Sequence, residues 1–347
     1  MKTFLKWTGL ALLVLGATYW FGPTQALDDV RDEPVTLDTD LLRLEQGIAD
    51  SESRAGLKPD NQARIIWADS TRRQKTPYSL VYLHGFGASW AEGDPVHRQL
   101  AARFGANLYL ARLHEHGIRS PDALRGLTPA NYVASAERAL AIGHALGDKV
   151  ILIGTSAGGM LTLYLAARHP DLHGLVLYSP CVAVANPALQ LATKPWGKQL
   201  LDQAFGGEHV NITRYSPERA RYWLTDYHTN GLLTLQTLID RYMTADQFAK
   251  VKQPLFLGYY YADDAHQDKV VSVPAMLAMY EQLGTPASQK KKVAFPKAGE
   301  HVIASHFTSQ DLPGVYGETE RFLREVLKLT PVTPAPKTPA VAFAPKK

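Results

Sequence analysis

Apolar residues along this chain fall in short unbroken runs separated by polar or glycine-rich turns. The runs are Arg64–Trp67, Tyr78–Leu83, Asn107–Leu110, Val150–Ile153, Leu175–Tyr178, Leu255–Tyr259 and Lys292–Phe295. They are continuous and do not alternate with polar positions, which is the pattern of strands covered on both faces. Helical stretches lie between them. Thr128-Pro129 supplies an N-cap followed by proline at the first helical position, and Gly147 stands at the stop. Ala157–Arg168, Pro274–Leu283 and Glu318–Lys328 read as helices in the same way. This alternation of strand and helix predicts an α/β fold with a mostly parallel central sheet and helices on both of its faces.

Residues 183–250 break the alternation. A crossover between two strands needs one helix, and this stretch is far longer and rich in aromatics, among them Trp196, Phe205, Tyr215, Trp223, Tyr227 and Phe248. It reads as an inserted helical cap. The body then runs from 28 to 330, without an internal repeat, between two unlike ends. Residues 1–27 carry Lys2 and Lys6 ahead of an uncharged stretch from Trp7 to Leu27, with Tyr19-Trp20-Phe21 closing its apolar part. That is the pattern of an export or anchoring segment. Thr24-Gln25-Ala26 offers the best cleavage site, and the aromatic trio suits an interfacial belt, although the apolar run is slightly short of the roughly 20 residues that span a bilayer. An inner-membrane anchor with the body facing the periplasm is the preferred expectation, and a cleaved export signal is the alternative; either puts the body outside the cytoplasm. Residues 331–347 hold five prolines among Ala, Thr, Val and Lys, a composition expected to stay extended and uncollapsed.

Composition changes this picture little. Hydrophobic residues make up 46% and charged residues 20% of the 347, which excludes disordered, collagen-like and coiled-coil chains. The net charge of +4 sits at the two lysine-bearing ends, so residues 7–330 are close to neutral and no nucleic-acid partner is expected. Cys181 is the single cysteine, which rules out an intramolecular disulfide and a cysteine-based metal site.

The chemistry lies at the ends of the strands. Gly154-Thr155-Ser156-Ala157-Gly158 follows one strand directly and opens a helix, the context in which a Gly-x-Ser-x-Gly turn projects a nucleophilic serine. His84-Gly85-Phe86-Gly87 ends an earlier strand, so the Phe86 and Ala157 backbone N–H groups are the expected oxyanion donors. Among twelve histidines His301 sits in a small-residue turn after the last strand and is the expected base, with His306 in reserve. Three acids follow Tyr259-Tyr260-Tyr261. Asp268, just ahead of Lys269-Val270-Val271 and the next helix, is preferred over Asp264 and Asp263. His114-Glu115-His116 has two potential metal ligands but nothing to complete a site, and it reads as a loop beside the cleft.

These motifs, in this order, resemble the α/β-hydrolase superfamily, nearest its bacterial esterase, lipase and serine-aminopeptidase-like branch, over about residues 60–330. The resemblance implies Ser156 as nucleophile, Asp268 as acid, His301 as base, Phe86 and Ala157 as oxyanion donors, and a cap where residues 183–250 are inserted. One departure stands out: the family usually passes from strand to acid in fewer residues than the stretch Ala262–Gln267 takes here. The expected activity is hydrolysis of a carboxylic ester, from a small-molecule or lipid-like substrate, through an acyl-enzyme and without metal or organic cofactor. A peptidase or amidase using the same residues, and a non-catalytic binding module at the cell envelope, are the two rivals.

Overall fold

The computed structural model describes residues 2–31 and 34–332. The proline-rich tail expected over 331–347 therefore lies, from residue 333 onward, outside the described residues. In chain order the elements begin with helices α1 (Lys2–Trp20) and α2 (Leu41–Ser53), strands β1 (Arg64–Ile66) and β2 (Thr76–Leu83), helix α3 (Val96–Phe104) and strand β3 (Asn107–Leu110). Helix α4 (Pro129–Leu146), strand β4 (Gly147–Thr155), helix α5 (Ala157–Ala166) and strand β5 (Gly174–Tyr178) follow. The insertion holds α6 (Gly197–Phe205), β6 (His209–Asn211), α7 (Pro217–Ala220), β7 (Asp226–His228), α8 (Asn230–Tyr242) and α9 (Ala245–Phe248). The chain then returns through β8 (Leu255–Tyr259), α10 (Val273–Gln282), β9 (Lys290–Ala294) and α11 (Leu312–Glu325).

Seven strands form one sheet in the order β1-β3-β2-β4-β5-β8-β9, with β1 antiparallel and all other pairs parallel. The unbroken apolar runs follow from this arrangement. Successive side chains of a strand point to opposite faces, and here both faces are covered. Val81, Leu152, Leu175, Leu177 and Leu257 pack on one face with α4, α5 and α10. Tyr82, Ile151, Ile153, Val176 and Phe256 pack on the other with α3 and α11. Burying each such side chain stabilises the fold by about 2 kcal/mol before entropy is counted.

The local signals hold at most helix ends. Thr128 and Asn131 form a reciprocal capping box at the start of α4. Helix α11 begins at Leu312, six residues before the position expected from the apolar pattern, because Asp311 accepts the Gly314 N–H as an N-cap and Pro313 occupies the first turn. The insertion is not wholly helical: β6 and β7 pair as a short antiparallel ribbon. Helix α1 presents Phe4, Trp7, Leu13 and Trp20 to solvent. Its end rests on the insertion, where Trp196 donates through Nε1 to the Thr18 carbonyl (2.9 Å) and through its backbone N–H to the Pro23 carbonyl (2.9 Å). Among the described residues no helix is long and apolar enough to cross a membrane.

Candidate active site

Ser156 sits between β4 and α5 with φ 53° and ψ −117°, a left-sided conformation that a non-glycine residue adopts only under constraint. The constraint is visible. The Ser156 N–H donates to the Tyr178 carbonyl at the end of β5 (2.9 Å), and the Ser156 carbonyl accepts the Cys181 N–H (2.9 Å). Helix α5 packs back so closely that a side chain at Gly158 would run into the Leu83 and His84 carbonyls, which is why this position must be glycine. No side chain caps α5. The Ala157 N–H at its first position therefore has no intrahelical partner, and it lies at the positive end of the helix.

The residues expected as acid and base follow β8 and β9, at the other end of the strand order from β1. His301 follows β9, is buried, and places Nδ1 2.6 Å from Asp268 Oδ2. Oδ1 of Asp268 accepts the N–H groups of Val270 (2.8 Å) and Val271 (3.0 Å). Burial works to raise the Asp268 carboxyl, but the facing imidazole and these two N–H groups outweigh it and hold the group below its usual range. Burial likewise disfavours charged His301, and Asp268 reverses that, so the imidazole lies above its usual value.

The other acids are elsewhere. Asp263 accepts from the His266 side chain (2.9 Å) and Asp264 accepts the Tyr261 hydroxyl (2.9 Å), both at the surface. The long stretch Ala262–Gln267 explains itself as a small hairpin: Tyr261 bridges to Gln267, and the Asp268 N–H then donates to the Tyr260 carbonyl (3.2 Å), returning the acid to the strand end. His306 leans on Phe307 and faces the Asp94 carbonyl (3.1 Å), away from Asp268. Among the described residues no hydrogen bond joins the Ser156 hydroxyl to His301, although both are buried at this end of the sheet.

The His84–Gly87 loop is held from two sides. His84 faces the Gly85 carbonyl through Nδ1 (2.9 Å) and accepts the Leu113 N–H at Nε2 (3.0 Å), which requires the neutral Nδ1–H tautomer. Burial lowers its pKa to about 4, so the ring stays neutral. A peptide is planar and trans, so fixing the Gly85 carbonyl turns the Phe86 N–H the opposite way. From above, the insertion clamps the loop: Leu224 donates its N–H to the Gly87 carbonyl (2.6 Å), and the Tyr227 ring meets Phe86 edge to face (5.5 Å). His116 stacks on Tyr132 beneath this loop and Glu115 accepts the Gly126 N–H (3.0 Å), so both shape the loop's surroundings. Among the described residues no cluster could hold a metal ion.

A model of the alpha/beta hydrolase family matches residues 80–315. The chain belongs to the alpha/beta hydrolase family. As a member, it is 32% identical over 108 residues to the thermostable monoacylglycerol lipase of Bacillus sp. (strain H-257); that match covers 31% of this chain and 42% of the lipase, under half its length. Among solved structures, a metagenome-derived lipolytic enzyme superposes with a TM-score of 0.62 at 16% identity, covering 77% of this chain and 99% of the other. The Saccharomyces cerevisiae monoglyceride lipase does so with a TM-score of 0.58 at 13% identity, over 76% and 90%. At these identities the structural likeness is one of fold.

Several residues of the candidate site carried no assigned role in the sequence: the anchoring by His84, the clamp by Leu224, and Glu92, which is buried behind the His84–Gly87 loop with its Oε2 2.5 Å from the Gly85 nitrogen. For Glu92 a signal existed. It is the sole charged residue between Tyr78 and Gly93, in an otherwise uncharged stretch.

Proposed function

We propose that this hydrolase cleaves carboxylic esters through Ser156, His301 and Asp268, with monoacylglycerol-like lipids as the substrate class. The observation that carries the proposal is the buried 2.6 Å contact between Asp268 and His301 at the strand ends where Ser156 is held in its strained turn. With Nδ1 committed to Asp268, Nε2 is the nitrogen left for the Ser156 proton. Substrate binding draws the hydroxyl and Nε2 to hydrogen-bond distance, as catalytic contacts often tighten only in the complex. Ser156 Oγ attacks the ester carbonyl as His301 takes its proton, and the Phe86 and Ala157 N–H groups receive the oxyanion, a pair worth roughly 3 kcal/mol per donor. The alcohol leaves with the proton from His301, and water repeats the sequence on the acyl-enzyme.

The substrate class rests on the Bacillus relative's name together with the insertion, which forms one wall of an open groove of about 750 Å³ lined mostly by apolar side chains such as Val184, Leu189, Leu201, Val210 and Leu232, with Arg214 and Lys269 also on its lining. An acyl chain fits such an apolar lining. Attachment to the cell envelope through residues 1–27 belongs to the same reading, motivated by the exposed aromatic and aliphatic side chains of α1.

Labelling of the purified 347-residue chain with a fluorophosphonate, followed by peptide mapping, tests the mechanism. Modification at Ser156 that is lost in His301→Ala is expected; a folded sample that stays unlabelled overturns it. A monoacylglycerol chain-length series then tests the substrate class, and an aminoacyl amide hydrolysed as fast as its matched ester would favour the peptidase reading.

A further inference from the structure

The Glu92 carboxyl links the two halves of the oxyanion site. It stands in a single 3-10 turn, Trp90–Gly93, directly after the His84–Gly87 loop, and is 2% exposed. Its Oε2 accepts the Gly85 N–H at 2.5 Å and lies 3.2 Å from the Tyr82 hydroxyl, which in turn is 3.0 Å from Thr155 Oγ1. Gly85 immediately precedes Phe86, and Thr155 immediately precedes Ser156 and Ala157. One buried chain of hydrogen bonds thus runs from the residue before one expected oxyanion donor to the turn that bears the other. Gly85 is glycine for the same reason: a side chain there would meet Glu92 Oε1 at 2.6 Å and Ser156 Cβ at 3.0 Å.

We infer that Glu92 is a positioning residue for the oxyanion site, fixing the separation of the Phe86 and Ala157 donors through Gly85 and Thr155 and adding to the negative charge that Asp268 places beside His301. The inference rests on the catalytic reading of Ser156, Asp268 and His301.

Among the described residues Glu92 has no ion-pair partner. The groups around it are Tyr82 from β2, Thr155 from β4, Tyr132 from α4, Arg219 from α7 and His301 after β9, with His97 of α3 packed edge-on against Tyr82. Burial pushes the carboxyl up to about 7, against the opposing pulls of the Gly85 N–H, His301, Tyr82 and Arg219. The chain has two polarities. The phenol carries one hydrogen, so a protonated Glu92 donates to Tyr82 and Tyr82 to Thr155, whereas an ionised Glu92 receives from Tyr82 and Thr155 donates back. Ionisation strengthens the bond to the Gly85 N–H and favours the imidazolium of His301 that forms during catalysis.

Kinetics of the full chain against pH on a soluble ester test this. Glu92→Gln keeps an acceptor for the Gly85 N–H but cannot ionise; it is expected to retain activity within tenfold of the parent and to lose one of two ionisations on the acid limb of kcat/KM. Glu92→Ala, checked as folded by its circular dichroism, is expected to lower kcat by about 10- to 100-fold with KM little changed, and Gln at 92 then rescues it. An Ala variant with unchanged kcat, or a Gln variant with the parent's pH profile, overturns the inference. Titration of the His301 imidazole by NMR separates this from a failure of the catalytic reading. Even in a protein that takes no fluorophosphonate, Glu92→Gln is expected to shift His301 to lower pKa, and an unmoved titration refutes the coupling.

Discussion

The two sides of the site are built by different means. On the nucleophile side, Ser156 and Ala157 are neighbours in sequence, the turn that bears them is pinned by backbone bonds to Tyr178 and Cys181, and the loop beside it is held by His84 and Glu92. On the acid–base side, Asp268 and His301 come from separate loops after β8 and β9 and meet through one side-chain contact, with Asp268 steadied by the N–H groups of Val270 and Val271. The first side is geometry locked by packing; the second is electrostatics between two loops far apart in sequence, the His301 loop being tied to the sheet where Ser179 Oγ donates to the His301 carbonyl (2.9 Å). In the proposed mechanism the locked side fixes where the oxyanion forms, and the electrostatic side fixes the tautomer and charge of the imidazole that takes the Ser156 proton.

Breaking the rigid side at its reacting atom gives the largest effect. Ser156→Ala removes the proposed nucleophile while leaving its neighbours in place, and a loss of kcat on the order of 10⁶-fold is expected, measured on a chromogenic short-chain ester. His301→Ala is expected to match it, and the two losses should not add, because the residues act as a unit. His306→Ala, at a half-exposed ring facing Asp94, is expected to keep activity within about twofold.

The acid comes next. Asp268→Asn keeps the shape but offers an amide where the imidazole needs a carboxylate, so His301 is left in the wrong tautomer and kcat falls by about 10⁴-fold. Asp264→Asn and Asp263→Asn, at surface carboxylates that serve Tyr261 and His266, should leave kcat unchanged. A large loss in Asp264→Asn with full activity in Asp268→Asn would move the acid and undo the account of the Ala262–Gln267 hairpin. A smaller effect probes the clamp from above: Tyr227→Leu removes the edge-to-face contact with Phe86 (5.5 Å, 81°), and a two- to tenfold fall in kcat/KM is expected.

How legible each side was follows from how it is built. The inner strands β2, β3, β4, β5 and β8 stood out because two-faced burial leaves an unbroken apolar run, whereas the edge strands β1 and β9 are only partly buried and begin with charged residues; the elbow stood out because its strand, turn and helix are contiguous. Asp268 could be preferred from its place ahead of Lys269-Val270-Val271, but its partnership with His301 depends on a hairpin whose return is tertiary. The bridge from Gly85 through Glu92 and Tyr82 to Thr155 joins residues up to 73 positions apart, and no local pattern encodes it. The start of α11 was readable and missed: Asp311 and Pro313 mark it more firmly than the apolar pattern that pointed to Glu318. The β6–β7 ribbon was not readable, since its three-residue strands are too short to show a period.

The smallest effect distinguishes the electrostatic side by its stability instead of its rate. Asp268 is held below its ordinary value of 3.8, so its contribution is present above that value and is lost as pH falls through the lower folded value. His301 is raised above 6.5, so its contribution is complete below 6.5 and is lost as pH rises through the higher folded value. The pair therefore stabilises the fold most between about pH 4 and 6.5. The proposed mechanism needs the opposite state: His301 must be neutral to take the Ser156 proton, so kcat/KM should still be rising with pH where this stabilisation is fading. Thermal melts of the parent and Asp268→Asn across pH 4 to 9 check the first part, the gap in Tm being expected to narrow on the alkaline side. A gap that stayed constant while kcat/KM rose would mean that the contact is held by packing, and the contrast between a locked side and an electrostatic side would fail.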